Sequence, residues 1–496
     1  MTPRRRPAPP AVASLSLALP LALPLALPLA FVTLIAFAGC TNPKLLDANR
    51  AFRAGDVPAA RTLIDRVAQQ SANGNDRLLA HLEQGAIALA AGDPSAADRA
   101  FAKADADARY FERRPDVSVS AELAATAVNL NALPYRGRPH DLIMLDTYQA
   151  LIALERGDTA AARVELRQAL ERQQQAARTF AEQINKQQAA LDQANAKAPA
   201  DRRLDIDRTL DDPAVAGRLA KLNQSVANLT PYTDFVNPFT ETLRGIVFLH
   251  APADSADHEN ARFALDRALG LVPGQTYLAE DLADAATLTQ QGTPPPPTTH
   301  AFLFAGTAPF FTSFRIDLPL FIFNDRVDYV GVNFPSFNSG PPATPRLTAH
   351  PEHAGQPATT LGLVDFDRVV GADYDARLPG IIFRTLLNAA AKAGAAYALN
   401  EATRGDDLTN VLVRIATSAY QAVANQADLR TFAALPRRID YARLPTPDAG
   451  RITLQTPDHA PLTVNVEPGR TNIVLVFSPH PGGDVAVYSF PIEPTR

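Results

Sequence analysis

A glycine followed by an aspartate, set between two apolar helical runs, recurs three times in the first third of the chain. The copies are Ala54-Gly55-Asp56-Val57-Pro58-Ala59-Ala60-Arg61, Ala91-Gly92-Asp93-Pro94-Ser95-Ala96-Ala97-Asp98 and Arg156-Gly157-Asp158-Thr159-Ala160-Ala161-Ala162-Arg163. No other feature narrows the fold as much. Glycine adopts the positive φ that ends a helix, and the aspartate can then cap the next one. Each copy therefore spells helix, tight turn, helix. The helix after each turn staggers small or apolar residues by four and then three: Ala60, Ile64, Val67; Ala97, Phe101, Ala104; Ala162, Leu166, Ala169. Ala261, Leu265 and Ala268, followed by Pro273, make a fourth copy. Such positions share one helix face, and the small leading residue lets the preceding helix come close. The chain reads as helix from about Pro43 to Gln290.

The pattern resembles tetratricopeptide repeats, whose unit is about 34 residues. Gly55 to Gly92 is 37 residues and Gly92 to Gly157 is 65, leaving room for a degenerate repeat or an inserted loop around Pro134-Tyr135-Arg136-Gly137-Arg138-Pro139. A generic helical bundle with Ala-rich contacts is the other reading. Between the third and fourth copies, Leu166, Leu170, Gln173, Ala177, Phe180, Ile184, Gln187 and Leu191 form a heptad seam. Val215, Leu219, Leu222, Val226 and Leu229 repeat the spacing after Asp212-Pro213. Two long helices in an antiparallel hairpin are expected, turning near Ala198-Pro199-Ala200. The hairpin either packs on its own domain or serves as an arm for dimer or partner contact.

Gly292-Thr293-Pro294-Pro295-Pro296-Pro297 cannot continue a helix and favours extended geometry. Beyond it the periodicity changes to that of short strands: Phe302–Phe304, Phe314–Leu318, Val327–Val332, Leu361–Val364, Arg438–Ala442, Ile452–Leu454, Leu462–Val466, Asn472–Phe477 and Val485–Tyr488. Pro335 to Thr360 is rich in Pro, Ser, Thr and Gly and reads as a loop. Two helices interrupt the strands, Ile381–Asn400 and Leu408–Ala427. The expected fold is α+β in two parts. Residues 40–290 form a tetratricopeptide-like helical domain with a long hairpin, 291–299 a proline-rich linker, and 300–496 an antiparallel, sandwich-like β domain with two inserted helices.

The N-terminus has its own logic. Arg4, Arg5 and Arg6 precede a run from Pro7 to Pro43 without a charged side chain, apolar from Ala13 to Gly39, which closes on Phe37-Ala38-Gly39-Cys40. This resembles a bacterial lipoprotein signal, residues 1–39, with its lipobox. The resemblance implies diacylglycerol on the Cys40 thiol, cleavage before it and acylation of the new amine. Phe37 stands where Leu is usual. An uncleaved spanning helix is the rival, with Pro20, Pro24 and Pro28 against it. Thr41, rather than Asp, after the cysteine points by analogy to the outer membrane. Cys40 is the only cysteine, so no internal disulfide forms. Three of the 47 basic residues and none of the 52 acidic ones fall in 1–39, leaving 44 against 52. No basic stripe appears in the remainder, which argues against nucleic acid as a partner.

Taken together, Pro134-Tyr135-Arg136-Gly137, Asp141 to Leu151 before Gly157-Asp158, Asn237-Pro238-Phe239, Leu243-Arg244-Gly245, Ala308-Pro309, Arg315 to Leu320, Ala427-Asp428-Leu429-Arg430 and Leu435-Pro436 resemble a family of bacterial lipoproteins with tetratricopeptide-like repeats. Phe432 lies where that family commonly has Trp. No enzyme activity or catalytic residue is assigned to the family, and its members tend to be encoded beside other envelope lipoproteins, which implies a shared assembly.

Motifs for chemistry are sparse. There is no Gly-x-Ser-x-Gly elbow and no phosphate-binding Gly-x-x-x-x-Gly-Lys-Ser/Thr loop. His350-Pro351-Glu352-His353 sits in a proline-rich stretch and reads as a surface loop; His250 and His258 lack a third ligand, so no metal or other cofactor is expected. Asp211-Asp212 and Asp406-Asp407 precede helices and read as caps. The candidate polar surface is Arg384, Asn388, Lys392, Asp428 and Arg430, either a salt-bridged interdomain seam or an anion-binding surface. The expected function is a non-enzymatic scaffold for other envelope proteins or lipoproteins, held to a membrane by its lipid anchor and facing the periplasm. The alternatives are a cell-wall-binding module or a cell-wall-modifying enzyme. The absence of Trp weighs against the binding module.

Overall fold

The computed structural model of the protein describes residues 43–113, 133–197, 211–230, 232, 235–323, 326–353, 355–402 and 427–495, with the backbone alone for 318–323, 326–330, 387–402 and positions 183, 184, 187, 188, 190, 191, 194, 195 and 197. The signal segment, Cys40, the turn near Ala198-Pro199-Ala200, Asp406-Asp407 and nearly all of the second inserted helix lie outside the described residues. The rest is mixed helix and sheet. A helical N-terminal region holds α1 (Pro43–Arg53), α2 (Val57–Gln70), α3 (Arg77–Ala90), α4 (Pro94–Glu112), α5 (Pro139–Glu155), α6 (Thr159–Lys197), α7 (Pro213–Gln224), α8 (Pro238–His250), α9 (Ala256–Leu271) and α10 (Thr276–Gln291). The strands are β1 (Thr298–Ala305), β2 (Phe310–Phe323), β3 (Arg326–Asn338), β4 (Thr348–Pro351), β5 (Ala358–Thr359) and β6 (Leu361–Asp365), then β7 (Arg438–Pro445), β8 (Arg451–Gln455), β9 (Leu462–Asn465), β10 (Asn472–Ser478) and β11 (Ala486–Pro491); α11 (Phe366–Ala402) separates β6 from β7. No helix among the described residues is long and apolar enough to cross a membrane.

The three Gly-Asp turns are built alike. Gly55, Gly92 and Gly157 have φ of 83°, 77° and 74°. Each glycine N–H donates to the carbonyl three residues back (Phe52, Leu89, Leu154), and each aspartate N–H to the carbonyl five back (Ala51, Ala88, Ala153). That double bond is the Schellman helix stop. The aspartate carboxylate then accepts from the N–H of Ala59, Ala96 or Ala161, at 2.8–3.0 Å, and starts the next helix. The staggered residues after each turn are all buried: Ala60, Ile64 and Val67; Ala97, Phe101 and Ala104; Ala162, Leu166 and Ala169; Ala261, Leu265 and Ala268. The partner helix meets the second residue of a set with a small one. A Cβ on Gly85 would lie 2.4 Å from Phe101, and one on Gly245 would lie 2.5 Å from Leu265. Of the two helices expected to form a hairpin after the third turn, the described parts differ in length, and residues 198–210 between them lie outside the described residues. The first, α6, runs 39 residues, but α7 spans only 12. Val215, Leu222 and Val226 join a core with Phe311, Ile316, Val332 and Phe334 of the β2–β3 hairpin and with Val370 and Tyr374 of α11. Asp212 caps α7 through the N–H groups of Ala214 and Val215.

Gly292, at φ 69°, ends α10, and β1 begins at Thr298 directly beyond the prolines. The main sheet has the order β11-β10-β1-β7-β6. Its pairs are antiparallel except one: β1 runs parallel to β10, with Phe302 opposite Leu475. Both faces of this sheet are covered. Phe302, Phe304, Tyr441, Ile473 and Leu475 point into a core continuous with the helices. Their neighbours Ala301, Leu303, Ala442, Val474 and Val476 point into a second core with Leu347, Ala349, Ile452 and Leu454. That second core lies against a four-stranded sheet, β5-β4-β8-β9. Alternation of side chains along a strand gives this division, and it explains why β1 and β10 read as unbroken apolar runs. The Pro335–Thr360 stretch, expected to be loop, contributes β4 and β5. Two and four residues of bridging strand are too short to leave a period in the sequence.

Candidate functional site

Below the helices' first core, the start of α5 meets α11 and the segment before β7. Gly137 turns the chain at φ 81°, and a Cβ there would lie 2.8 Å from Leu142. The turn brings Tyr135 back over Asp141, whose Oδ2 accepts from the Tyr135 hydroxyl and from the Arg138 N–H at 2.8 Å. Arg138 reaches across to α11. Its guanidinium donates to Asp373 at 2.7 Å, and Arg377 pairs with the other Asp373 oxygen at 2.8 Å. Burial acts to raise the Asp373 carboxyl, but Arg377 and Arg138 outweigh it and hold it down at about 2. Burial acts to lower Arg138, but the Asp373 carboxylate outweighs it, and the guanidinium stays firmly charged.

Next to this pair, Arg430 grips Asp428 with two donors at 2.8 and 2.9 Å. Its remaining nitrogen donates to Asp76, the residue before α3, at 3.0 Å and to the Leu133 carbonyl at 2.8 Å. Arg430 is buried, and this fork-shaped pairing is the geometry in which arginine binds carboxylate best. Burial favours a neutral Asp428, but the guanidinium overrides it and keeps the carboxyl below its usual range. Arg138 donates to the Arg430 carbonyl, so the two clusters join. Of the sequence candidates, Asp428 and Arg430 are thus brought together in a salt-bridged seam against the helical region. Arg384 lies half-buried on α11 beyond Arg377. Asn388 and Lys392 follow on that helix, with side chains outside the described residues.

One side of the cluster opens into a cavity of about 290 Å³. Its walls come from α5 (His140, Ile143), α6 (Phe180), the segment leading into α8 (Leu229, Phe235, Asn237) and α11 (Asp373, Ala376). Phe180 and Phe235 meet edge-on at 4.5 Å. Phe235 holds φ 56°, a conformation unfavourable for a bulky residue. Asn237 caps α8 through the N–H groups of Phe239 and Thr240, and its own N–H donates to Gln173 at 2.7 Å. Gln173 in turn donates to Glu241 at 2.9 Å. The glutamine that interrupts the apolar seam of α6 is a buried connector between α6 and α8.

His140 is the exception among these groups. Its ring is 4% exposed, and neither nitrogen has a hydrogen-bond partner among the described residues. Nε2 lies 3.3 Å from Asp141 Oδ1, itself without a partner. Burial lowers the His140 pKa, with Asp141 and Asp373 opposing, so the ring is neutral near pH 7. Sequence reasoning passed over His140, Arg138 and Asp373. The signal was present in Arg138-Pro139-His140-Asp141 at a helix start, but a lone histidine beside a proline carries no ligand spacing.

Two other buried clusters tie the helices to the sheet. Glu83 of α3 accepts from the N–H groups of Ala433 and Ala434 at 2.7 and 2.8 Å and from Asn49 at 3.0 Å. Burial raises its carboxyl to about 8. Asp281 of α10 accepts from the Tyr441 hydroxyl and pairs with Arg443 at 2.9 Å, while His300 bonds the same hydroxyl at 2.7 Å. Burial raises Asp281 to about 7 and lowers His250, which packs edge-on to His300 at 5.5 Å, to about 3. His350 lies on β4, Glu352 pairs with Arg451, and His353 is exposed at φ 62°. Among the described residues no three His, Cys, Asp or Glu side chains are placed to hold a metal ion. Comparison with known protein families, curated proteins and solved structures finds no match to this chain.

Proposed function

We propose that this chain is a bacterial envelope lipoprotein, anchored by acyl chains on Cys40 and probing the periplasm as a non-enzymatic scaffold for other envelope proteins. Residues 1–39 are its signal peptide. Residues 40–290 are a tetratricopeptide-like repeat domain, docked through the 291–299 connection onto the β-rich domain 300–496. The observation that carries the reading is the fourfold use of one packing device. Helix pairs at Ala60, Ala97, Ala162 and Ala261 each bury the same stagger. Stacked helix pairs bind along broad exposed faces. The buried ion pairs that fix them to the sheet make that face rigid, which lowers the entropy lost on binding. The uncharged run ending at Cys40, with Thr41 after it, supports an anchor facing the periplasm from the outer membrane. Two acyl chains suffice for stable attachment where one does not.

Two measurements test the proposal. Metabolic labelling with an alkyne fatty acid should mark the wild type and not Cys40→Ala. Cross-linking in intact cells should recover the same few envelope proteins repeatedly from the wild type, and fewer from Cys40→Ala, because tethering raises effective concentration. An unlabelled wild type refutes the anchor; recovery of abundant neighbours alone refutes the scaffold.

A further inference from the structure

We propose that Asp281, Tyr441 and His300 form a buried proton switch, in which uptake of a single proton reverses both hydrogen bonds of the row and moves the ring hydrogen of His300 from Nδ1 to Nε2. The switch does not depend on the scaffold reading. Strand pairing places its parts. Phe302 lies opposite Tyr441 and His300 opposite Arg443, so these side chains share one face of the main sheet. Leu278 and Ala285 of α10 and Phe239 of α8 cover that face. Asp281 descends onto it from α10, and Asp281, Tyr441 and His300 are all buried.

The ends of the row fix its two states. Asp281 Oδ1 lies 2.9 Å from Arg443, which only donates, so a hydrogen taken up by the carboxyl must sit on Oδ2. Oδ2 faces the Tyr441 hydroxyl, and that hydroxyl lies 2.7 Å from His300 Nδ1. His300 Nε2 has no partner among the described residues. With Asp281 ionised, the tyrosine donates to it, and His300 must donate from Nδ1; a bare Nδ1 would set two lone pairs against each other. Nε2 is then bare. With Asp281 neutral, Oδ2 donates to the tyrosine, the tyrosine donates to a bare Nδ1, and the ring hydrogen is on Nε2. Any other arrangement leaves the buried phenol hydrogen without an acceptor.

The protons balance. One proton added at Nε2 lets the Nδ1 hydrogen pass to the tyrosine oxygen and the tyrosine hydrogen pass to Asp281 Oδ2. The ring is neutral before and after, the tyrosine remains a phenol, and the carboxyl gains one hydrogen. The surroundings favour the carboxyl as the group that keeps it. Burial raises Asp281 to about 7; Arg443 and the Tyr441 hydroxyl oppose this, and Asp284 and Glu280 of α10 assist it. Burial, His250 at the end of α8 and Arg443 all lower His300. Burial raises Tyr441 well above the usual phenol range, and raises Tyr277 of α10, whose ring lies 6.2 Å away. A proton bound on α10 is thus registered on β1, in a ring 5.5 Å from that of His250. It also removes the charge that Arg443 clamps between α10 and β7, while Arg443 keeps Asp284 at 2.6 Å.

Nitrogen-15 NMR of the full chain carrying labelled histidine reads the tautomer, because protonated and bare ring nitrogens resonate far apart. The His300 signals are those missing from His300→Gln or, should that variant not fold, those displaced in Tyr441→Phe. The wild type should hold its hydrogen on Nδ1 at about pH 9 and on Nε2 at about pH 5, to either side of the Asp281 value near 7. Asp281→Asn keeps the shape. Arg443 holds the amide oxygen, so the amide nitrogen donates to Tyr441, and His300 should hold its hydrogen on Nε2 at both pH values. Near-ultraviolet circular dichroism establishes that each sample is folded. The wild-type swap needs no variant, and the comparison with Asp281→Asn at about pH 9 needs no acid, so a failure to fold in one leaves the other decisive. One tautomer throughout in folded wild type overturns the switch. So does a doubly protonated His300 ring at about pH 5, which would make the histidine the site of uptake, and so does a hydrogen on Nδ1 in folded Asp281→Asn.

Discussion

Substituting Gly85 by alanine tests the packing device on which the helical region is built. In an unconstrained helix the change stabilises by about 1 kcal/mol through propensity. Here the new methyl would sit 2.4 Å from Phe101 Cε1 and 2.6 Å from both Cδ1 and Cζ. Ordinary carbon contacts are about 3.5–4.0 Å, so the ring must retreat by roughly 1 Å. It has no free space to retreat into. Phe101 is fully buried and stacked on Tyr148 at 5.3 Å and 13°, and Tyr148 rests against Phe304 of β1 at 6.4 Å. Overpacking of this kind costs about 1–3 kcal/mol, and the expected net loss is about 0–2 kcal/mol after the propensity gain. Two other glycines separate the causes. Gly217 lies exposed in α7 with nothing within 4 Å, so Gly217→Ala should gain about 1 kcal/mol. Gly92 also faces open space but holds φ 77°, so Gly92→Ala should lose about 1–2 kcal/mol through backbone strain alone. The assay is the denaturant midpoint at constant slope. Adding Phe101→Leu to Gly85→Ala should recover part of the loss. A Gly85→Ala midpoint raised as far as that of Gly217→Ala refutes the close-contact argument.

Other perturbations follow from the buried polar groups. Arg430→Met leaves Asp428 and Asp76 without their cation, and a loss of about 3–5 kcal/mol in chemical denaturation is expected, with Arg430→Lys recovering little because an ammonium cannot replace the fork. His250, lowered by burial to about 3, is held neutral in the fold; the stability this represents is complete above pH 6.5 and lost as pH falls toward 3, by at most about 1.4 kcal/mol per pH unit. His250→Gln should flatten that slope by one proton. Asp281, raised to about 7, acts in the opposite sense over pH 4–7, so the difference between the two profiles is the quantity to read. Gln173→Leu removes the acceptor for the Asn237 N–H and the donor to Glu241, and should cost about 1–3 kcal/mol by the same denaturation assay, even though it completes the apolar seam.

Much of the helical region was legible because its information is local. A glycine forced to positive φ, an aspartate directly after it and a four-three stagger are all set within about a dozen residues, and each staggered alanine lies in the core. The strands of the main sheet were legible as apolar runs for the same reason. Their order was not. The parallel pairing of Thr299 with Asn472 joins positions far apart in sequence, and nothing local distinguishes it from an antiparallel neighbour. Gln173 looked like a defect in a heptad seam because its partners, Asn237 and Glu241, belong to another helix. The second arm of the hairpin looked long because Val226 and Leu229 keep the spacing beyond α7; Val226 faces the β2–β3 core instead. Arg430 and Asp428 were visible as a pair, but not Asp76, which completes them from the far side of the chain. His140 had no neighbour in sequence to mark it, and the cavity beside it is assembled from four separate segments.

The buried polar side chains fall where one register must be chosen among several. An apolar helix face can rest on an apolar sheet face at several offsets with similar burial, since the hydrophobic effect has no direction. Glu83 removes that freedom, because its two oxygens must meet the N–H groups of Ala433 and Ala434 or remain buried without them. Asp281 does the same between α10 and β7 through Tyr441 and Arg443, and Arg430 between the segment before β7 and the start of α3. All three contacts engage residues 428–443, the stretch that enters the main sheet from α11. A shift of that stretch by one residue would turn every side chain of β7 to the opposite core and strand three buried polar groups at once. The polar contacts therefore specify the single docking of helices on sheet, while the apolar residues on both faces of β7 supply the burial that holds it.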